Sequence, residues 1–148
     1  MTSTKIPPAT PPYTKITVYF VSKAKYEANT PPFEVEAKRY ASSSSDFAKA
    51  VLDEYFKGPG MTEKKDYGWI AIFSGFTGYS KFEVTNGVAR VYLKGTCNSG
   101  GKEYNLADIL MVNLKQFSTI HFVKIYDEYG VTKSPDGASD SIPACLTP

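Results

Sequence analysis

Thiol and imidazole chemistry in this chain rests on three side chains, Cys97, Cys145 and His121. The cysteines form no Cys-x-x-Cys pair. With one histidine beside them, a four-ligand Cys/His zinc site cannot be assembled from one chain. A Cys97–His121 nucleophile–base pair is conceivable, but it competes with a disulfide between Cys97 and Cys145. That disulfide would pin the C-terminal tail to the loop after a strand and, in the loop-entropy model, stabilise by about 4 kcal/mol. The tail carries no periodic apolar pattern of its own, so pairing is the expectation and two buried free thiols the alternative. A disulfide implies a protein that works outside the cytoplasm. No Gly-x-Ser-x-Gly elbow accompanies His121. A lone histidine in a strand-like segment reads as a packed or half-exposed residue, so no catalytic residue is expected.

Three other groupings invite a ligand. Gly95 to Glu103 has the look of a phosphate loop, but five residues separate Gly95 from Gly101-Lys102, and Glu103 stands where Ser or Thr would bind magnesium. Asp127, Asp136 and Asp140, near Gly130 and Gly137, are the only calcium candidates, and they lack the alternating order of an EF-hand loop. They read as solvated turn carboxylates, so no metal and no cofactor is expected. Tyr67, Trp69, Phe73, Phe76 and Tyr79 crowd the least regular segment. Such rings can stack on sugars or another small ligand, and a loop folded over the core would explain them equally well.

The elements that must position these residues are legible from patterning. Lys15 to Val21 alternates, with Ile16, Val18 and Phe20 on one face. Phe33 to Tyr40 reads as a second strand after Pro31-Pro32. Phe47, Ala48, Val51, Leu52, Tyr55 and Phe56 recur at helical spacing, ended by Gly58-Pro59, with Ser43 and Asp46 at capping-box spacing before them. Trp69 to Phe73 could be a strand, and the glycines after it suggest a loop. Asn86-Gly87 marks a hairpin joining Lys81–Thr85 to Val88–Lys94. Asn105 and Asp108 cap a second helix, with Leu106, Ile109, Leu110, Leu114 and Phe117 buried. Ser118 to Tyr126 is a strand apolar on both faces, hence central. The expectation is an α+β fold of order β-β-α-β-β-α-β, a mixed sheet with two helices on one face.

Around this body, residues 1–14 read as a proline-rich linker, 15–126 as the domain and 127–148 as an acidic coil tail holding four carboxylates against one lysine. The chain has 148 residues, 17 basic against 15 acidic, and a net charge of +2. That balance gives no reason to expect a nucleic-acid partner. No apolar run is long enough to cross a membrane. Met1 to Lys5 is not a signal peptide as it stands, so any membrane attachment would run through a tether outside this sequence.

Several of these segments together resemble the GerMN domain family. The first helix ends in AVLDEYFKGP, similar to that family's first helix with its closing Lys-Gly-Pro. Glu83 to Leu93 resembles its Asn-Gly, Val-Ala strand core. Leu114 to Phe117 followed by Ile120 to Tyr126 is similar to its second helix running into the last strand, and Ile16 to Phe20 to its first strand. The likeness spans about residues 15–126. It implies a bacterial envelope module, often carried on lipoproteins and met in sporulation and germination proteins, whose fold is similar to ring-building modules of secretion systems. That family has no known catalytic residues to carry over. The cysteine-stapled tail and the lack of a lipid-attachment cysteine near Met1 depart from its pattern.

The expected function is a non-catalytic, extracytoplasmic interaction or assembly module of a bacterial envelope protein. Its expected partners are envelope proteins or a second copy of itself. The alternative is a module binding peptidoglycan, another glycan or a small ligand through the aromatic surface.

Overall fold

The computed structural model describes residues 12–148. The linker expected over residues 1–14 lies outside the described residues as far as residue 11. Tyr13 and Thr14, assigned to it, are strand instead. β1 (Tyr13–Ser22) pairs antiparallel with β2 (Glu34–Ser42), from Tyr13 opposite Ser42 to Val21 opposite Glu34. Ser43 N donates to Pro12 O at 3.0 Å, and the hydroxyls of Thr14 and Ser43 lie 2.8 Å apart, which fixes the start of the strand.

The chain is α+β, as its patterning implies, but its strands fall into two sheets rather than one. After β1 come α1 (Lys23–Ala28), β2, α2 (Phe47–Lys57), α3 (Met61–Lys65) and β3 (Trp69–Ile70). Then follow β4 (Phe76–Thr85), β5 (Val88–Gly95), α4 (Leu106–Lys115) and β6 (Phe122–Tyr126). The first sheet is antiparallel with order β2-β1-β3, and the second has order β4-β5-β6. The second is the mixed one, because β5 and β6 run parallel.

Packing explains the division. β3 covers β1 only at Val21 and Ser22. Further along the same edge the partners are side chains of α4: Asn113 meets both backbone groups of Tyr19, and Gln116 Nε2 donates to Thr17 O at 2.9 Å. A helix thus stands where another strand would pair. α4 also touches α2 and β6, so it joins the two sheets.

The helices form where expected. α2 buries Ala48, Val51, Leu52 and Tyr55, and α4 buries Leu106, Ile109, Leu110 and Leu114 against the inward residues of β1, β5 and β6. The N-cap of α2 is Asp46, whose Oδ1 accepts from Lys49 N at 3.2 Å, three residues after Ser43. The Asn105 cap is as expected: Ala107 N donates to Oδ1 at 2.9 Å, and Asn105 N to Asp108 Oδ2 at 2.9 Å.

β6 is a correction. Val123 to Tyr126 are all buried, yet the strand lies at the sheet's edge. Its second neighbour is the tail: Ile125 N donates to Ser141 O at 2.9 Å, and Ser141 N to Val123 O at 3.0 Å. The tail is therefore more than a coil on a staple. Leu146 is fully buried in the core, and its carbonyl accepts from Asn105 Nδ2 at 2.6 Å.

Candidate functional site

Cys97 and Cys145 are joined in a disulfide, with Cα atoms 6.4 Å apart and a sequence separation of 48. This removes Cys97 as a nucleophile. His121 is exposed just before β6, and its backbone N donates to Gly87 O at 2.8 Å, which binds the hairpin turn to that strand. The turn has Asn86 at φ 52° and Gly87 at φ 79°. A side chain at 87 would strike the imidazole at 2.6 Å, so glycine and histidine here serve one close contact.

The glycine loop after β5 is shaped by its route to the disulfide. A Cβ on Gly75 would lie 1.9 Å from Thr96 O, and Asn98 N donates to Ser74 O at 2.8 Å. Cys97 N donates to Glu128 Oε2 at 2.9 Å. The backbone donor at the centre of the supposed phosphate loop is already taken by a carboxylate.

The calcium candidates are engaged within the fold. Asp127 Oδ1 accepts from Tyr129 N and Val131 N in a turn, at 2.9 and 3.0 Å. Asp140 bridges Val123 N, at 3.0 Å, and the Lys115 ammonium. The Asp136 carbonyl accepts from Lys124 Nζ at 3.3 Å. They sit in separate contacts, and among the described residues no group of three or more His, Cys, Asp or Glu side chains is disposed to hold a metal.

Lys124 is a residue that patterning missed. It is fully buried, and its ammonium donates to Ser134 O at 2.7 Å, with Asp136 O at 3.3 Å and Ser139 Oγ at 3.4 Å. Three neutral oxygens of the tail thus solvate a charge that faces no carboxylate at that distance.

The five aromatic candidates separate into three environments. Phe76 is only 3 % exposed and belongs to the core, so it is withdrawn from the surface: the alternation of β4 turns it inward. Tyr79 rests against Phe56 and donates to Asp53 Oδ1 at 2.5 Å. Its phenol is pushed up from the ordinary value, first by burial and then by that bond to Asp53. It borders a shallow dent with Lys49 and Lys94, away from the other candidates.

Trp69 and Phe73 do come together. They line a cleft of about 430 Å³ with Ile70 and three lysines, Lys23, Lys57 and Lys64. Tyr67, 61 % exposed, leans on the indole with ring centroids 5.2 Å apart, without lining the cleft itself. The floor is rigid. Tyr55, fully buried, stacks on Phe20 at 5.5 Å and packs edge-on to Phe73 at 5.9 Å. Its hydroxyl donates to Ile72 O and accepts from Ile72 N, both at 2.8 Å. Burial pushes that phenol far up, so it stays neutral.

α3 supplies Lys64 to the rim, and its Glu63 lies outside the lining of the cleft. Glu63 takes Arg39 in a fork, with Nη2 to Oε1 at 2.6 Å and Nη1 to Oε2 at 2.8 Å, and accepts from Gly60 N at 2.8 Å. The Arg39 bond holds the Glu63 carboxyl below its usual value, and Glu63 in turn raises Arg39. The lysines escaped sequence reading because Lys23 and Lys57 lie on elements distant in sequence from Trp69. Only Lys64 is near Trp69 in sequence.

This arrangement can hold a flat ligand and attract an anion. It offers no nucleophile activated by a base. The class it defines is a small α+β module of GerMN-like fold. Among solved structures, the chain is similar to the tandem GerMN domains of the sporulation protein GerM from Bacillus subtilis, with a TM-score of 0.55 and 16 % identity over 95 % of this chain. The match covers 49 % of that structure, so the chain spans about half its length. At that identity the likeness is one of fold. No family model matches the chain, and no curated protein matches it.

Proposed function

We propose that this chain is a non-catalytic interaction or assembly module that works outside the cytoplasm, as part of a bacterial envelope protein. The observation that carries the reading is the GerMN-like fold over nearly the whole chain. The Cys97–Cys145 disulfide supports the compartment, since such bonds persist where thiols are not kept reduced. The partners are envelope proteins or a second copy, and any membrane attachment is through a tether, as a lipoprotein would have. Cross-linking of the full-length protein in native cells, with mass spectrometry of what co-purifies, tests this. Self-links or a few recurrent envelope proteins are expected. A reproducible turnover that depends on His121 would defeat it.

A second reading, glycan binding, is favoured by one observation. Trp69 and Phe73 line a cleft of about 430 Å³, within the usual size range of small-ligand pockets. Peptidoglycan fragments or another glycan would occupy it, and emission from Trp69 would report their binding.

A further inference from the structure

We propose that the cleft between α2, α3 and β3 binds an anionic saccharide, a sugar ring bearing a carboxylate or phosphate. This rests on the glycan reading and narrows it. Three ammonium-bearing side chains, Lys23, Lys57 and Lys64, border the cleft, and no carboxylate does. Lys57 is paired with Glu54 at 2.8 Å, in an ion pair open to water. Lys23 and Lys64 have no side-chain partner among the described residues, and both are exposed. Cations of one sign around a concave, partly apolar wall concentrate the field on its mouth, and an anion entering relieves their mutual repulsion. Lysine suits this task as a point charge on a flexible stem, tolerant of where on a sugar the anion sits.

The walls argue for a ring rather than an extended peptide. Trp69 and Phe73 carry flat apolar rings, on which the C–H face of a pyranose can lie, and Ile70 adds apolar wall between them. The strand beside the cleft, β3, is two residues long, too short to seat a peptide by strand addition. The backbone that carries the indole is fixed by ladder pairing of Trp69 with Ser22, and by Lys23 N donating to Gly68 O at 2.9 Å. Lys23 is thereby tied through the backbone to the turn that presents Trp69.

Trp69 is the only tryptophan, so its fluorescence reads the cleft directly. The folded chain is titrated at low salt with trigalacturonate, with a maltotriose phosphate, with maltotriose and with short poly-glutamate. Saturable change is expected with at least one of the first two, weakening with salt, and about tenfold weaker in K23Q/K64Q. Which of the two binds identifies the source of the anion. The double variant should keep the wild-type thermal midpoint, because neither ammonium it removes has a side-chain partner among the described residues. Equal affinity for maltotriose would overturn the anionic preference and leave the glycan reading standing. Equal affinity for poly-glutamate, or an unchanged affinity in the double variant, would overturn the proposal. No saturable change with any saccharide would remove both it and the glycan reading, and leave the assembly reading to its own cross-linking test.

Discussion

Asn113 closes the open edge of a strand 94 residues away: Tyr19 N donates to its Oδ1 at 2.8 Å, and its Nδ2 donates to Tyr19 O at 3.0 Å. The same Nδ2 donates to Ile109 O at 2.9 Å within α4. A side-chain amide has the donor–acceptor spacing of a peptide unit, so one buried asparagine acts as a rung of the ladder where no strand is present.

Asn113→Leu would keep the branching, with more bulk, and remove both bonds, leaving the Tyr19 amide and carbonyl buried and unpaired. The expected cost is about 2–4 kcal/mol, read as a lower urea midpoint. Hydrogen exchange at the Tyr19 amide should accelerate in a milder variant such as Asn113→Ser. A midpoint unchanged in both would refute the role.

The Arg39–Glu63 fork makes a pH prediction. A carboxyl held below its usual value adds stability that is complete above the unfolded value of about 4.3 and is lost as pH falls through the folded value. Glu63→Gln should cost about 1–2 kcal/mol at pH 7. Below about pH 4 the gap from wild type should narrow. Urea midpoints of both proteins between pH 7 and 3 check this; parallel curves would count against it.

Opening the disulfide should remove about 4 kcal/mol in the loop-entropy model. The tail would not simply detach, because Leu146, Ser141 and the Asn105 amide still hold it. Cys97→Ser/Cys145→Ser is expected to lower the thermal midpoint while its amide-exchange pattern at β6 stays native. Loss of protection at Val123 and Ile125 would show instead that the bond alone keeps the tail in place.

Lys124→Met tests the buried ammonium. The methionine fills the space but leaves the carbonyls of Ser134 and Asp136 without their donor. The expected loss is about 1–3 kcal/mol, with proteolysis moving into residues 133–140. An equally stable, equally resistant variant would mean that the charge is incidental.

What could be read from sequence was local. α2, α4 and the Asn86-Gly87 hairpin announce themselves because period, cap and turn agree within a few neighbours. α1 and α3 escaped because neither buries a residue, so no apolar stripe marks them. The first half of β4 reads as loop because register shifts after Phe76 and Tyr79 break its alternation. β6 reads as central because a buried edge covered by irregular tail leaves the same apolar signature as a neighbouring strand. The Asn113 rung and the lysines around Trp69 depend on what α4 and α1 are packed against, and no window of sequence holds both partners.

The seating of Lys124 under residues 134–139 also bears on how the chain is made. A polypeptide made amino end first presents β6 while its outer edge is bare and Lys124 lacks the tail oxygens that seat it. Until the stretch from Ser134 to Leu146 has followed, the second sheet is a sticky, half-finished surface. Synthesis therefore leaves a window in which a chaperone has something to hold, and that window closes when the tail arrives.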